Sequence, residues 1–122
     1  MIKILVVEDD ETLRKILKDK LTQEGFTLLT AKDGEEGLEA ALKSKPDLIL
    51  LDVIMPKMDG VDMLKKLRED SFGNKVPVLL LTNDGDPEHI KETLKANATD
   101  YLVKSDWKLE DIVNKIKETL RL

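Results

Sequence analysis

The sequence of 122 residues contains no cysteine, one histidine and no long hydrophobic run. Without cysteine there is no disulfide framework, thiolate metal site or thiol nucleophile, as expected of a protein from a reducing cytoplasm. The single histidine, His89, excludes a histidine-rich metal site, and its place just after Pro87 at a predicted helix start favours a surface role. No apolar run approaches the ~18 residues that a membrane span requires. We therefore expect a cytoplasmic protein.

Positive charge is also scarce, with 20 basic against 25 acidic residues and a formal net charge of −5. Proteins that bind nucleic acid or anionic membranes usually carry a broad basic surface. We therefore expect no direct nucleic-acid partner and no membrane partner. The chain does have 41% hydrophobic residues. This content, over a length typical of a single domain, predicts one domain with one sizeable core.

Short apolar runs alternate with amphipathic segments along the whole chain. The runs are Lys3–Val7, Phe26–Ala31, Leu48–Leu51, Val76–Thr82 and Tyr101–Val103. Three of them lack apolar/polar alternation, which is typical of strands covered on both faces of a parallel sheet. The segments between them carry apolar residues at helical spacing, for example Leu13, Ile16, Leu17 and Leu21, or Ile90 and Leu94. Five such strand-helix units predict an α/β fold, with one open parallel sheet and helices on both faces.

Local signals agree with these elements. Gly25 suits the position after the first helix, and Asp33 with Glu36 three residues later predicts an N-cap for the second. We expect at least one of the methionines to fill the core, among Met55, Met58 and Met63. Trp107 is expected to cover a core edge.

Chemically reactive side chains follow four of the predicted strands. They are Glu8, Asp9 and Asp10 after the first, Asp52 after the third, Thr82 and Asn83 at the end of the fourth, and Lys104 after the fifth. The carboxyl ends of parallel strands form the edge at which open α/β sheets bind ligands. Each acid taken alone is equally explained as a helix N-cap. Together they predict a shared site.

The residue types at this edge point to phosphoryl chemistry. Carboxylates at adjacent strand ends repel one another unless a cation relieves them. Oxygen ligands with open coordination positions suit Mg²⁺, with Mn²⁺ as an alternative. A lysine and a threonine suit the oxygens of a phosphoryl group. In such a site Asp52 is expected to act as a nucleophile and form an acyl phosphate.

These residues resemble the receiver domains of two-component response regulators, over essentially the whole chain. The segments that carry the resemblance are ILVVEDD, LILLDVIMPKMDG, VLLLT and ANATDYLVK. The resemblance implies a flavodoxin-like (βα)5 fold with a five-stranded parallel sheet of order 2-1-3-4-5. It also implies that residues 1–122 form one receiver domain.

The resemblance further implies a role for each site residue. Asp52 would be the phosphoacceptor. Mg²⁺ would be bound by Glu8, Asp9, Asp52 and the backbone carbonyl of Ile54. Thr82 and Lys104 would contact the phosphoryl group, and Tyr101 would be the switch aromatic that responds to Thr82. Asp10 is then a surface or helix-start residue. An alternative reading of Tyr101 is a half-buried strand aromatic without a signalling role.

As a function, the resemblance implies a phosphoacceptor switch in two-component signal transduction. A sensor histidine kinase or phosphotransfer protein would donate the phosphoryl group from a phosphohistidine, in a Mg²⁺-dependent reaction. The fourth helix, fifth strand and fifth helix would then change conformation. The domain would catalyse only its own phosphorylation and dephosphorylation, so it is not expected to be an enzyme with external substrates. The output partner and phosphorylation-dependent homodimerisation stay open.

Three other functions fit the sequence less well. A Mg²⁺-dependent phosphohydrolase with an aspartyl nucleophile generally has an acid two residues after that nucleophile, where this chain has Ile54. A flavin-binding module needs a phosphate loop after the first strand, and the acids there would repel a phosphate. A receiver-like interaction scaffold without phosphorylation is disfavoured by the complete set of acids, threonine and lysine.

The chain departs from the family pattern at three positions. Ser105 follows Lys104 where the family has proline after a cis peptide, so we expect a trans bond or local strain. Ile54 cannot position a water molecule, which predicts a long-lived phosphoryl group. Asn83 replaces a small residue, and either narrows access for the phosphodonor or adds a hydrogen bond.

Overall fold

A computed structural model of the chain describes residues 1–53, 58–82, 91, 95, 98–103 and 108–122. The strands are β1 (Lys3–Val7), β2 (Thr27–Ala31), β3 (Leu48–Asp52), β4 (Val78–Thr82) and β5 (Asp100–Val103). The helices are α1 (Glu11–Gln23), α2 (Gly34–Ser44), α3 (Gly60–Arg68) and the C-terminal helix (Leu109–Leu120). Lys91 and Lys95, between β4 and β5, are also helical.

The strands form one parallel sheet in the order β2-β1-β3-β4-β5, which confirms the predicted fold. From β1 the chain passes to β2 on one side of it, and then crosses to β3 on the other side. Val7, the last residue of β1, accordingly has Ala31 and Leu51 as its neighbours. The strand order therefore reverses beside the carboxyl end of β1, where sheets of this kind bind their ligands.

Each face of the sheet is covered by helices. On one face α2 and α3 pack Ala41, Val61, Leu64 and Leu67 against alternate strand residues, including Leu5, Val7, Ile49 and Leu51. On the other face α1 and the C-terminal helix pack Leu17, Leu21, Ile112 and Ile116 against Ile4, Val6, Leu48 and Leu50. All of β3, including Asp52, is buried. Because both faces are apolar environments, the strand sequence shows no alternation.

The predicted helix ends are confirmed. Oδ1 of Asp33 accepts a hydrogen bond from the N–H of Glu36 at 2.8 Å, which caps α2. Gly25 follows α1 with a φ of +96°, a conformation that favours glycine. Asp10 caps α1, with its Oδ1 accepting from the N–H groups of Thr12 and Leu13 at 2.9 and 3.2 Å. Asp10 is therefore a helix-start residue, as expected.

Some predictions differ from the structure in detail. β2 and β4 begin later than predicted, at Thr27 and Val78, and β3 extends through Asp52. Ile16, predicted to face the core, is 42% exposed, whereas the adjacent Leu17 is fully buried. One residue along an α-helix is a rotation of about 100°, and the contact of α1 with the sheet is too narrow to cover both.

Met63 is fully buried, which confirms that a methionine fills the core. The predictions for His89, Ile90, Leu94 and Trp107 fall outside the described residues. Within the described ranges, none of the helices combines the length and the apolar content that a bilayer crossing requires.

Candidate metal and phosphoryl site

Three carboxylates meet at the carboxyl edge of the sheet. Glu8 and Asp9 follow β1, and Asp52 is the last residue of β3. One carboxylate oxygen from each lies within 4.8 Å of the other two. Residues far apart in sequence are brought together because β1 and β3 are neighbours in the sheet.

The burial of these carboxylates differs. Glu8 is fully buried and Asp52 is 3% exposed, whereas Asp9 is exposed. Buried carboxylates at such distances repel one another in a poorly solvated environment, so a nearby cation stabilises their charged forms. Carboxylate oxygens are the ligands that Mg²⁺ and Mn²⁺ prefer, and the exposed Asp9 leaves one side open to a ligand. The donor set therefore fits a hard divalent cation.

The turn after β1 is held by several hydrogen bonds. The N–H of Glu8 donates to the carbonyl of Ala31 at 3.0 Å, which continues the pairing with β2 by one residue. The carbonyl of Glu8 accepts a hydrogen bond from Nη1 of Arg14 at 2.8 Å. Two residues later, Asp10 caps α1. The turn that carries Glu8 and Asp9 is thus fixed at both ends.

The backbone after Asp52 turns back on itself at Gly60. The N–H of Val53 donates to the carbonyl of Leu81 at 3.2 Å, and the N–H of Gly60 donates to the carbonyl of Val53 at 2.7 Å. A Cβ on Gly60 would lie 2.4 Å from the carbonyl oxygen of Asp52. Glycine is therefore required here by the close approach of the α3 start to the end of β3.

A second glycine supports the same segment from α2. A Cβ on Gly34 would lie 2.1 Å from the carbonyl oxygen of Met58, so the first turn of α2 packs directly against the chain between β3 and α3. Neither Gly34 nor Arg14 was predicted from the sequence to support the site. For Gly34 the available signal was a glycine, a poor helix former, at the start of a predicted helix. For Arg14 it was the choice of arginine over lysine, since only three of the 20 basic residues are arginines.

The remaining predicted site residues are described in part. Thr82 is the last residue of β4 and pairs with Val103 of β5, so its backbone lies at the same edge as Asp52. Lys104 directly follows Val103 in sequence and lies outside the described residues. Ile54, Asn83 and Ser105 also lie outside the described residues. The predicted state of the Lys104–Ser105 peptide bond therefore falls outside them as well.

Tyr101 lies on β5, partly buried against the apolar cluster beneath α2 and α3. Its N–H donates to Oδ1 of the preceding Asp100 at 2.8 Å, and Oδ2 of Asp100 is 2.6 Å from Nζ of Lys115. Burial acts to raise the pKa of Asp100, but the hydrogen bonds from Lys115 and from the N–H of Tyr101 lower it overall. The strand that carries Tyr101 is thus tied to the C-terminal helix.

The family model for the response regulator receiver domain matches residues 4–117. The chain belongs to this family. It is 43% identical over 121 residues to the transcriptional regulatory protein CpxR of Klebsiella pneumoniae, covering 99% of this chain and 50% of the relative. It is 38% identical over 119 residues to the alkaline phosphatase synthesis transcriptional regulatory protein PhoP of Bacillus subtilis, covering 98% and 48%. The chain thus spans about half the length of these relatives.

Solved structures show the same fold. The chemotaxis protein CheY4 of Vibrio cholerae superposes with a TM-score of 0.91 at 34% identity, covering 97% of this chain and 98% of that chain. A two-component response regulator from Clostridium difficile superposes with a TM-score of 0.91 at 30% identity, covering 99% of this chain and 97% of that chain. Receiver domains are phosphoacceptor switches that act with sensor histidine kinases. The predicted function in two-component signal transduction is therefore confirmed at the level of the family.

Proposed function

We propose that residues 1–122 form one receiver domain of the cytoplasm in which Asp52 accepts a phosphoryl group. The donor is a phosphohistidine of a sensor histidine kinase or a phosphotransfer protein. The observation that carries the proposal is the meeting of Glu8, Asp9 and Asp52, with carboxylate oxygens within 4.8 Å, at the sheet edge where the strand order reverses. The family match supports the same assignment.

In the proposed step, a phosphoryl group is transferred from the histidine of the donor to Asp52. A carboxylate oxygen of Asp52 forms a bond to phosphorus while the phosphorus–nitrogen bond of the phosphohistidine breaks. The electron pair of the broken bond stays on the imidazole nitrogen, and Asp52 becomes an acyl phosphate. The buried strand β3 and the turn at Gly60 hold the Asp52 backbone in place, so its carboxylate is positioned before the donor arrives.

The other residues are assigned supporting roles. Glu8, Asp9, Asp52 and the backbone carbonyl of Ile54 would hold Mg²⁺, or Mn²⁺ as an alternative. When bound, this cation supplies positive charge that offsets the carboxylates and the phosphoryl oxygens. Thr82 at the end of β4 and Lys104 after β5 would contact the phosphoryl group. The lysine provides a point charge and the threonine a hydroxyl donor.

The proposed output is a change in the surface around β5. Phosphorylation adds negative charge at the end of β3, close to the end of β4 where Thr82 lies. Because β4 pairs with β5, a shift of Thr82 can reach Tyr101 and the C-terminal helix. The surface formed by the segment between β4 and β5, by β5 and by the C-terminal helix would then present a new face to an output partner.

Acetyl phosphate with Mg²⁺ tests the assignment of the acceptor. We expect the wild-type chain to gain the mass of one labile phosphoryl group and Asp52→Asn to gain none. Asp59→Asn is the matched control, because it also removes a carboxylate near the site, while asparagine caps a helix as well as aspartate does. A label that persists in Asp52→Asn would exclude Asp52 as the acceptor. Continuous release of phosphate from external phosphomonoesters would favour a phosphohydrolase instead.

The lifetime of the phosphoryl group is expected to depend on Ile54, two residues after Asp52. An isoleucine side chain has no group to orient a water molecule, whereas an asparagine has. We expect Ile54→Asn to speed the loss of phosphate by roughly 10-fold, a modest part of what a positioned proton acceptor contributes. The decay of radiolabelled protein measures the rate. Ile54→Val, which stays apolar, should decay like the wild type, and an equal decay of Ile54→Asn would refute the prediction.

A further inference from the structure

We propose that Arg14 is a positioning residue for the metal site, acting through the peptide bond that joins Glu8 to Asp9. This inference rests on the proposed function of Glu8 and Asp9. Arg14 lies in the first turns of α1, is partly buried, and donates from Nη1 to the carbonyl oxygen of Glu8 at 2.8 Å. It touches the backbone between the two acids.

The carbonyl that Arg14 holds belongs to the Glu8–Asp9 peptide. Because a peptide unit is planar, fixing its oxygen fixes the orientation of the whole plane, and with it the directions in which both flanking side chains leave the backbone. The N–H of Glu8 is held separately, by the carbonyl of Ala31 at 3.0 Å. Glu8 is therefore fixed from two sides, by β2 and by α1.

Arg14 also closes the other end of the turn. Its N–H donates to the carbonyl of Asp10 at 2.9 Å, and Oδ1 of Asp10 accepts from the N–H groups of Thr12 and Leu13. One residue thus binds the turn twice, through its side chain at Glu8 and through its backbone at Asp10. Asp9 is the exposed residue between these two fixed points.

The turn needs such support because its side chains repel each other. Three carboxylates with oxygens within 4.8 Å favour any rotation of the Glu8–Asp9 peptide that separates them. A hydrogen bond from a charged guanidinium is stronger than one from a neutral donor and opposes that rotation. Arg14 would thereby keep Glu8 and Asp9 within reach of Asp52 before a cation binds.

If Arg14 is removed, its positioning role and its charge predict opposite changes in the affinity for the cation. Arginine carries the same charge as the metal ion, so removing it by electrostatics alone would tighten cation binding. If Arg14 acts by positioning, removing it weakens binding, as loss of groups that orient metal ligands typically does by about 10 to 100-fold. The sign of the change therefore distinguishes the two roles.

Calorimetric titration of the full chain with Mg²⁺ provides the test. We expect Arg14→Met, which keeps an apolar stem but loses the donor, to bind Mg²⁺ about 10-fold more weakly than the wild type. Arg14→Lys, which retains a donor and the charge, should recover part of the loss. Lys15→Met is the matched control, since it removes one positive charge from an exposed residue of the same helix turn. Its affinity should be unchanged or higher.

A second readout does not depend on the metal. Without Mg²⁺, the backbone N–H of Glu8, which donates to the carbonyl of Ala31, should exchange with solvent faster in Arg14→Met than in the wild type or in Lys15→Met. Affinity in Arg14→Met equal to or above that of the wild type would overturn the proposal, as would unchanged amide exchange. A wild type that binds no Mg²⁺ would refute the metal site itself, while the exchange measurement would still decide the role of Arg14. If Arg14→Met fails to fold, the Mg²⁺ affinity and the amide exchange are both measured on Arg14→Lys.

Discussion

Magnesium is expected to raise the free energy of unfolding of this chain by about 2.7 kcal/mol at a concentration roughly 100 times its dissociation constant. The reason is that the three carboxylates come from β1 and β3, which are neighbours only in the folded sheet. The unfolded chain has no comparable site, so the cation would bind the folded state alone. Urea unfolding at constant ionic strength, with and without MgCl₂, measures the gain.

Asp52→Asn should change this result in two ways. Without Mg²⁺ the variant should be more stable than the wild type, by on the order of 1 to 2 kcal/mol, because one of three mutually repelling charges is gone. With Mg²⁺ it should gain much less than the wild type, because one ligand has lost its charge. Asp59→Asn, an exposed cap of α3, serves as the control and should respond to Mg²⁺ like the wild type. An equal gain in Asp52→Asn would contradict the proposed ligand set.

Gly60→Ala is expected to impair both stability and phosphoryl uptake. The added Cβ would lie 2.4 Å from the carbonyl oxygen of Asp52 and 2.8 Å from Cα of Val53. Both are backbone atoms, which cannot rotate away, so the strand end or the start of α3 must move. Overpacking costs about 1 to 3 kcal/mol, and we expect the upper part of that range. A displacement of Asp52 by about 1 Å should slow labelling by acetyl phosphate about 100-fold.

Gly25→Ala is the matched control for this prediction. Gly25 has a φ of +96° and open space around its missing Cβ, so an alanine there is strained by its backbone alone. It lies before β2, at the opposite edge of the sheet from Asp52. The control should lose about 1 kcal/mol of stability and keep the wild-type labelling rate. Equal labelling rates in both variants would show that Gly60 does not position the acceptor.

The sheet and its buried strands could be predicted from composition and order along the chain. The run Leu48–Leu51 indicated a strand covered on both faces, and the structure buries every residue of β3. Its boundary was less predictable, because Asp52 extends the strand only by pairing with Leu81 of β4. A single sequence contains no direct signal for that pairing.

The side of each helix that meets the core was predictable in part. Leu17 and Leu21 of α1 are buried as their spacing indicates, but Ile16 is not. Apolar spacing defines a stripe of residues along a helix. How much of the width of that stripe becomes buried depends on the shape of the neighbouring sheet. Arg14 was missed for a related reason, since its contact with Glu8 depends on the exact angle at which α1 leaves the sheet.

The sequence alone determined the alternating α/β fold, the family and the residue types at the strand ends. These features depend only on local pattern and on order along the chain. The tertiary structure decided which of those residues meet. It placed the carboxylates of Glu8, Asp9 and Asp52 within 4.8 Å, and required glycine at positions 34 and 60 where backbones approach closely. The physical reason is that repulsion between charges and exclusion between atoms act over a few ångströms in space, whatever the separation along the chain.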